Sequence, residues 1–141
     1  MVLKVIRKIK EADISEICLL GKNYIDNFEI LYDLKSYINS SIYIVNCFEE
    51  DNIIKGFIIA NFLYENVEIL LVFVKAEYRN RGIASELLKS LEVDSVEKLL
   101  LEVSVLNDPA LKLYDKMGYK IISTRKKYYN GVDAYVMRKE L

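Results

Sequence analysis

Glu68-Ile69-Leu70-Leu71-Val72-Phe73-Val74-Lys75-Ala76-Glu77-Tyr78-Arg79-Asn80-Arg81-Gly82-Ile83-Ala84-Ser85-Glu86-Leu87-Leu88 is the stretch on which the fold turns. Residues 68–74 are a short apolar run of strand length, while Ile83, Leu87, Leu88 and Leu91 recur at the spacing of one helix face. Polar Arg79-Asn80-Arg81-Gly82 lies between them, so a strand feeds a helix through a glycine turn. Upstream, residues 42–49 and 53–64 read as strands. Their links Glu50-Asp51-Asn52 and Glu65-Asn66 are short enough for hairpins, which predicts an antiparallel meander ending in residues 68–74. Before the meander, alternation over residues 2–9 predicts a first strand. Asp13 followed by Glu16 reads as a capping box for a helix running to about Tyr24, and residues 28–38 form a second helical segment bracketed by Asn and Ser. Downstream come a strand over residues 99–105 and a helix opened by Asn107-Asp108-Pro109 and stopped by Gly118. Two strands, residues 119–129 and 132–138, then flank the hairpin dipeptide Asn130-Gly131.

The resulting order β-α-α-β-β-β-α-β-α-β-β predicts an α/β (α+β) architecture: a mixed, mostly antiparallel seven-stranded sheet flanked by about four helices. With 141 residues and no repeat or linker, one domain spanning 1–141 is expected. Twenty basic and twenty-one acidic residues give a net charge of -1, so a nucleic acid finds no electrostatic footprint. Charges interrupt the first apolar residues, and no stretch reaches membrane-spanning length, so neither a signal peptide nor a membrane anchor is read and a cytoplasmic protein is expected. Cys18 and Cys47 lack metal-ligand spacing and the chain has no histidine, which argues against a zinc site, a Cys-His pair or a Ser-His-Asp triad.

Three places could carry chemistry. In Arg79-Asn80-Arg81-Gly82-Ile83-Ala84 the glycine admits a ligand close to the backbone, and the following helix start offers unpaired N–H groups suited to a pyrophosphate; a plain solvated turn reads equally well on the residues alone. Glu102 interrupts Leu99-Leu100-Leu101 and Val103 within a strand expected to be covered on both faces, where a carboxylate needs a partner or a task; an outward-facing residue on a two-sided strand is the alternative. Tyr114 lies on the last helix, where tyrosines ordinarily serve packing.

Together these segments resemble the GNAT superfamily of N-acetyltransferases. Arg79-Asn80-Arg81-Gly82-Ile83-Ala84 matches the family's [Q/R]-x-x-G-x-[G/A] signature. Leu101-Glu102-Val103, Asn107 and Ala110 through Tyr119 look like its next block, and Tyr128-Tyr129-Asn130-Gly131-Val132-Asp133-Ala134-Tyr135-Val136-Met137 is similar to the end of the ribosomal-protein-alanine (RimI) type. The resemblance is close over the second half of the chain and limited to element order over the first.

The resemblance implies two central strands that splay apart around acetyl-CoA. The backbone of Val72, Phe73 and Val74 would then bond the pantetheine amides, the turn Arg79, Asn80, Arg81, Gly82, Ile83 and Ala84 the pyrophosphate, and Asn107 the pantetheine arm. It further implies Glu102 as general base and Tyr114 as the acid that protonates the departing thiolate. The chemistry suits those residue types. An α-amino group has a pKa of about 8 and a lysine about 10.4, so an acceptor arrives protonated and needs a base, which a chain without histidine supplies with a carboxylate. Tyr128 and Tyr129, just before the hairpin turn, are expected to set one ring into the acceptor cleft, where a protein N-terminus fits; cross-strand packing is the alternative role.

Leu71 and Phe73 stand where the RimI type carries Asn and a small residue, and the link over residues 92–98 is short, which implies a clipped helix. A small-molecule amine as acceptor, and an acyl-CoA-binding sensor without turnover, remain open readings.

Overall fold

The computed structural model describes residues 3–129 and 131–141, without the side chains of Tyr128 and Tyr129. Seven strands form one sheet in the order β1-β2-β3-β4-β5-β7-β6, where β1 is Lys4–Lys8, β2 Tyr43–Glu50, β3 Ile53–Leu63, β4 Asn66–Val74, β5 Lys98–Ser104, β6 Lys120–Tyr129 and β7 Val132–Glu140. Every neighbouring pair is antiparallel except β4 and β5. The β2–β3 hairpin turns through Asp51 and Asn52, both with positive φ, as a tight hairpin with the sheet's twist requires.

One sheet face packs α4 (Ile83–Lys89) and α5 (Asp108–Lys116), with Leu87, Leu88, Leu99, Leu101, Val103 and Met137 at the centre. The other face packs α1 (Ile14–Lys22), α2 (Phe28–Leu31) and α3 (Leu34–Tyr37) over Val45, Cys47, Phe57, Ile59 and Phe73. Gly21 allows that second layer to close, because a Cβ there would stand 2.4 Å from the Phe28 ring.

The structure refines three sequence expectations. The segment over residues 28–38 divides into two single turns, α2 and α3, because Tyr32 goes extended and Asp33 caps the second by accepting from the Ser36 N–H at 3.4 Å. The capping box of Asp13 and Glu16 does not form. Asp13 instead accepts from the Arg7 guanidinium at 2.8 and 3.1 Å and from the Lys10 N–H at 2.7 Å, closing a short 3-10 turn over Glu11–Asp13. Strand β5 is covered on one face only: its burial alternates, with Leu99, Leu101 and Val103 buried and Leu100, Glu102 and Ser104 half-exposed.

Arg7 also donates to Glu49 at 3.1 Å, tying the turn before α1 to β1 and β2. The Arg7 hydrogen bond, aided by the Lys10 N–H and opposed by burial, holds the Asp13 carboxyl below its ordinary value. A depressed folded-state pKa contributes stability above the unfolded value, and that contribution vanishes as pH falls through the folded one. Asp13→Asn is expected to cost about 2 kcal/mol at pH 7, with the gap to wild type closing below about pH 4. Urea midpoints at pH 7 and pH 3 check this; an equal gap at both values would contradict it.

Candidate active site

Strands β4 and β5 run side by side only from Asn66 opposite Lys98 to Ile69 opposite Leu101. Beyond that point β5 continues on β7 to Ser104, while β4 continues on β3 to Val74, so the two strands part. Leu70 is the cause. Ile59 pairs with Leu71 and Ala60 with Ile69, which leaves Leu70 as an extra residue on β4, and such a bulge bends its strand and adds twist. The bulge also resets the alternation: Val67 and Ile69 face α4 and α5, as do Val72 and Val74, whereas Leu71 and Phe73 join the layer under α1. On the side that β5 has left, the backbone of residues 70–74 keeps hydrogen-bonding groups without a strand partner.

At the end of β4 the chain makes a 3-10 turn over Ala76–Tyr78 and enters α4 through Asn80 and Gly82, with φ of 63° and 82°. Only glycine takes that conformation without strain, and a Cβ on Gly82 would meet nothing within 4 Å. The first helical bond here runs from the Glu86 N–H to the Gly82 carbonyl, so the N–H groups of Ile83, Ala84 and Ser85 have no acceptor within the helix. Arg81 lies over the Tyr78 ring at 5.6 Å. Arg79 is already engaged: it donates to the Val74 carbonyl at 3.2 Å and to the Tyr24 hydroxyl, with its guanidinium over the Tyr24 ring. Tyr24 in turn packs edge-on against Phe73 at 4.9 Å, so Arg79 clamps the segment after α1 to the tip of β4.

Glu102 projects from β5 on the face away from α4 and α5. Its carboxylate, 22% accessible, accepts from Arg125 of β6 at 2.5 Å. Tyr114 packs on the opposite face, where its ring meets that of Tyr119 at 5.6 Å in a T-shaped contact. The base and acid expected from the sequence therefore lie on opposite faces of the sheet. Asn107 caps α5, its side-chain oxygen accepting from the Ala110 N–H at 3.3 Å, so its amide NH₂ is the group left for a ligand. The side chains of Tyr128 and Tyr129 lie outside the described residues.

Two groups the sequence did not single out bear on this arrangement. Tyr119 is buried, its hydroxyl has no hydrogen-bond partner among the described residues, and burial, with Glu92 and Tyr114 adding to it, pushes its pKa well above the ordinary tyrosine value. Tyr119→Phe removes an unsatisfied hydroxyl while keeping the ring against Tyr114; it is expected to change stability by no more than about 1 kcal/mol, toward higher stability if at all. A drop in melting temperature of several degrees would contradict it. Arg125, in the basic run Arg125-Lys126-Lys127, is the other, through its ion pair with Glu102.

Cys47 is buried, and burial pushes its thiol up to about 11; Cys18 is raised by burial as well. Neither offers a thiolate near neutral pH.

A model of the family described as Acetyltransferase (GNAT) matches residues 12–119. An N-alpha-acetyltransferase of Saccharolobus solfataricus is 42% identical over 79 residues, which is 52% of this chain and 47% of the relative, so the chain spans about half of that relative's length. Two solved structures share the fold. The ribosomal-protein-S18-alanine N-acetyltransferase of Escherichia coli superposes with a TM-score of 0.82 at 20% identity, covering 98% of this chain and 94% of that one. NAA60 of Arabidopsis thaliana in complex with acetyl-CoA gives 0.85 at 18% identity, covering 99% and 100%.

Proposed function

Because the chain belongs to the GNAT acetyltransferase family, we propose that residues 1–141 are one N-acetyltransferase domain that transfers acetyl from acetyl-CoA to the α-amino group of a protein N-terminus in the cytoplasm. The observation that carries this reading is the parting of β4 and β5 after Ile69 and Leu101, which leaves a backbone-lined opening beyond that point with Glu102 on the strand that turns away. The relative named N-alpha-acetyltransferase and the solved alanine N-acetyltransferase support a terminal amine as acceptor. The solved complex with acetyl-CoA supports the donor. No helix among the described residues is long and apolar enough to cross a membrane.

The residues present fit an extended, phosphate-bearing thioester. The N–H and carbonyl of Val72 and the N–H of Val74 point to the side that β5 has left, so the Val72-Phe73-Val74 segment offers them to the pantetheine amides while Phe73 itself pairs with Phe57 of β3. The positive-φ turn at Asn80 and Gly82 brings N–H groups of Ile83 and Ala84 to a pyrophosphate, with Arg81 beside them and Arg79 holding the strand tip in place. The Asn107 NH₂ serves the pantetheine arm. Bound there, acetyl-CoA supplies an activated carbonyl and a thiolate leaving group. Glu102 takes the proton from the acceptor ammonium, directly or through a water, and the half-exposed face of β5 gives the amine access to it. The Tyr114 hydroxyl, on the other side, donates to the sulfur that departs.

Incubation with acetyl-CoA and a pool of free N-terminal peptides, with thiol release followed and products read by mass spectrometry, tests the assignment. Acetylation of α-amino groups is expected. Acetylation confined to lysines or to an added pool of small amines would contradict the acceptor, and absence of thiol release with any amine would contradict turnover.

A further inference from the structure

The face that carries Glu102 holds a second carboxylate that no step above uses. Glu68 on β4 pairs with Leu100, two residues before Glu102, so parallel register puts both glutamates on one face across the line where the strands part. Asn61 stands directly opposite Glu68 on β3, and Asn66 lies two residues earlier on the same face of β4. The apolar layer under α1, α2 and α3 includes Ile59, two residues before Asn61 on β3.

Their hydrogen-bonding state is unbalanced. Glu102 is held by Arg125, but Glu68 is half-buried and has no ion pair or hydrogen bond among the described residues. The side-chain oxygens of Asn61 and Asn66 are buried without a donor among the described residues. The two buried amide oxygens carry a desolvation cost that N–H donors relieve, and the carboxylate beside them offers an incoming cation a partner. Arg125 and Arg138 lie on the same face, opposite Ala134 and Leu100 in register, so a second cationic group meets repulsion there. The missing partner thus has one ammonium followed by neutral N–H groups.

We propose that Glu68 is the acceptor's counter-ion: it pairs with the single α-ammonium of an extended peptide N-terminus, while Asn61 and Asn66 accept from N–H groups of the leading residues. This rests on the reading of the site as an N-terminal acetyltransferase and specifies how it selects its acceptor. Glu68 binds; the proton is taken by Glu102.

The test measures peptide binding in the presence of CoA, which needs no turnover, for one peptide with a free and with an acetylated N-terminus. Wild type is expected to prefer the free form by about 10- to 100-fold, the range of a charge-assisted hydrogen bond, and Glu68→Gln to reduce that preference to less than about threefold. Glu68→Gln should keep its CoA affinity and melt no lower than wild type, because the lost charge was unpaired; Glu68→Asp should regain part of the preference. Glu102→Gln should retain the preference. Equal preference in wild type and Glu68→Gln, loss of preference in Glu102→Gln alone, or a triamine such as spermidine binding more tightly than the peptide would each overturn the proposal. Peptide preference that depends on Glu68 in a protein that releases no thiol would uphold this inference and sink acetyl transfer instead.

Discussion

Glu102→Gln is expected to lower kcat by about 100- to 10,000-fold with acetyl-CoA affinity unchanged, the loss associated with removing a positioned general base. Glutamine keeps the shape of the side chain and its place on the half-exposed face of β5, so the geometry around the strand opening survives. Loss of the ion pair costs little, because the Arg125 side chain is 53% accessible and returns to water; less than about 1 kcal/mol is expected. A melting temperature close to that of wild type therefore accompanies the kinetic loss. Tyr114→Phe is the companion change: it keeps the ring against Tyr119 and removes only the hydroxyl, with a fall in kcat in the same range expected. Undiminished turnover in both variants would mean that positioning alone drives the reaction.

Gly82→Asp should weaken acetyl-CoA binding by roughly 100-fold, from about 3 kcal/mol of repulsion between unit charges some 5 Å apart near a protein surface. The free protein should tolerate the change, since nothing lies within 4 Å of the added Cβ and an aspartate at a helix start interacts favourably with the backbone dipole. What remains is the φ of 82°, which costs a non-glycine residue about 1 kcal/mol. Gly82→Ala separates the two effects, because it pays the conformational cost and adds no charge. Isothermal titration on all three proteins decides: unchanged affinity in Gly82→Asp would place the phosphate site elsewhere, and equal loss in Gly82→Ala would make the backbone, not the charge, responsible.

Local signals carried most of the fold. Hairpins at Asp51 and Asn52, the Pro109 start and Gly118 end of α5, and the helical spacing of Ile83, Leu87 and Leu88 all appear where periodicity and turn chemistry place them. What those signals missed depends on partners distant in sequence. Asp13 abandons its capping box because Arg7, folded back from β1, offers a charged partner. The Leu70 bulge is invisible in an unbroken apolar run, since a phase shift shows only where polar residues alternate. Glu102 was legible as an oddity within a strand, but its pairing with Arg125 joins residues 23 apart across two strands. Glu68 had a signal in Asn66-Val67-Glu68-Ile69, whose alternation puts Asn66 and Glu68 on one face; reading residues 68–74 as a buried run concealed it. The clamp of Arg79 on Tyr24 had none, because no pattern ties a residue after α1 to the tip of β4.

The central claim is that acetyl-CoA lies in the opening where β4 leaves β5. Amide hydrogen exchange, resolved residue by residue with and without acetyl-CoA, tests it most directly. Slowed exchange concentrated at Val72, Val74, Ile83 and Ala84 is the predicted result, with the β1–β2 pairing unaffected. Protection that appears elsewhere while those amides exchange at their free rate would contradict it.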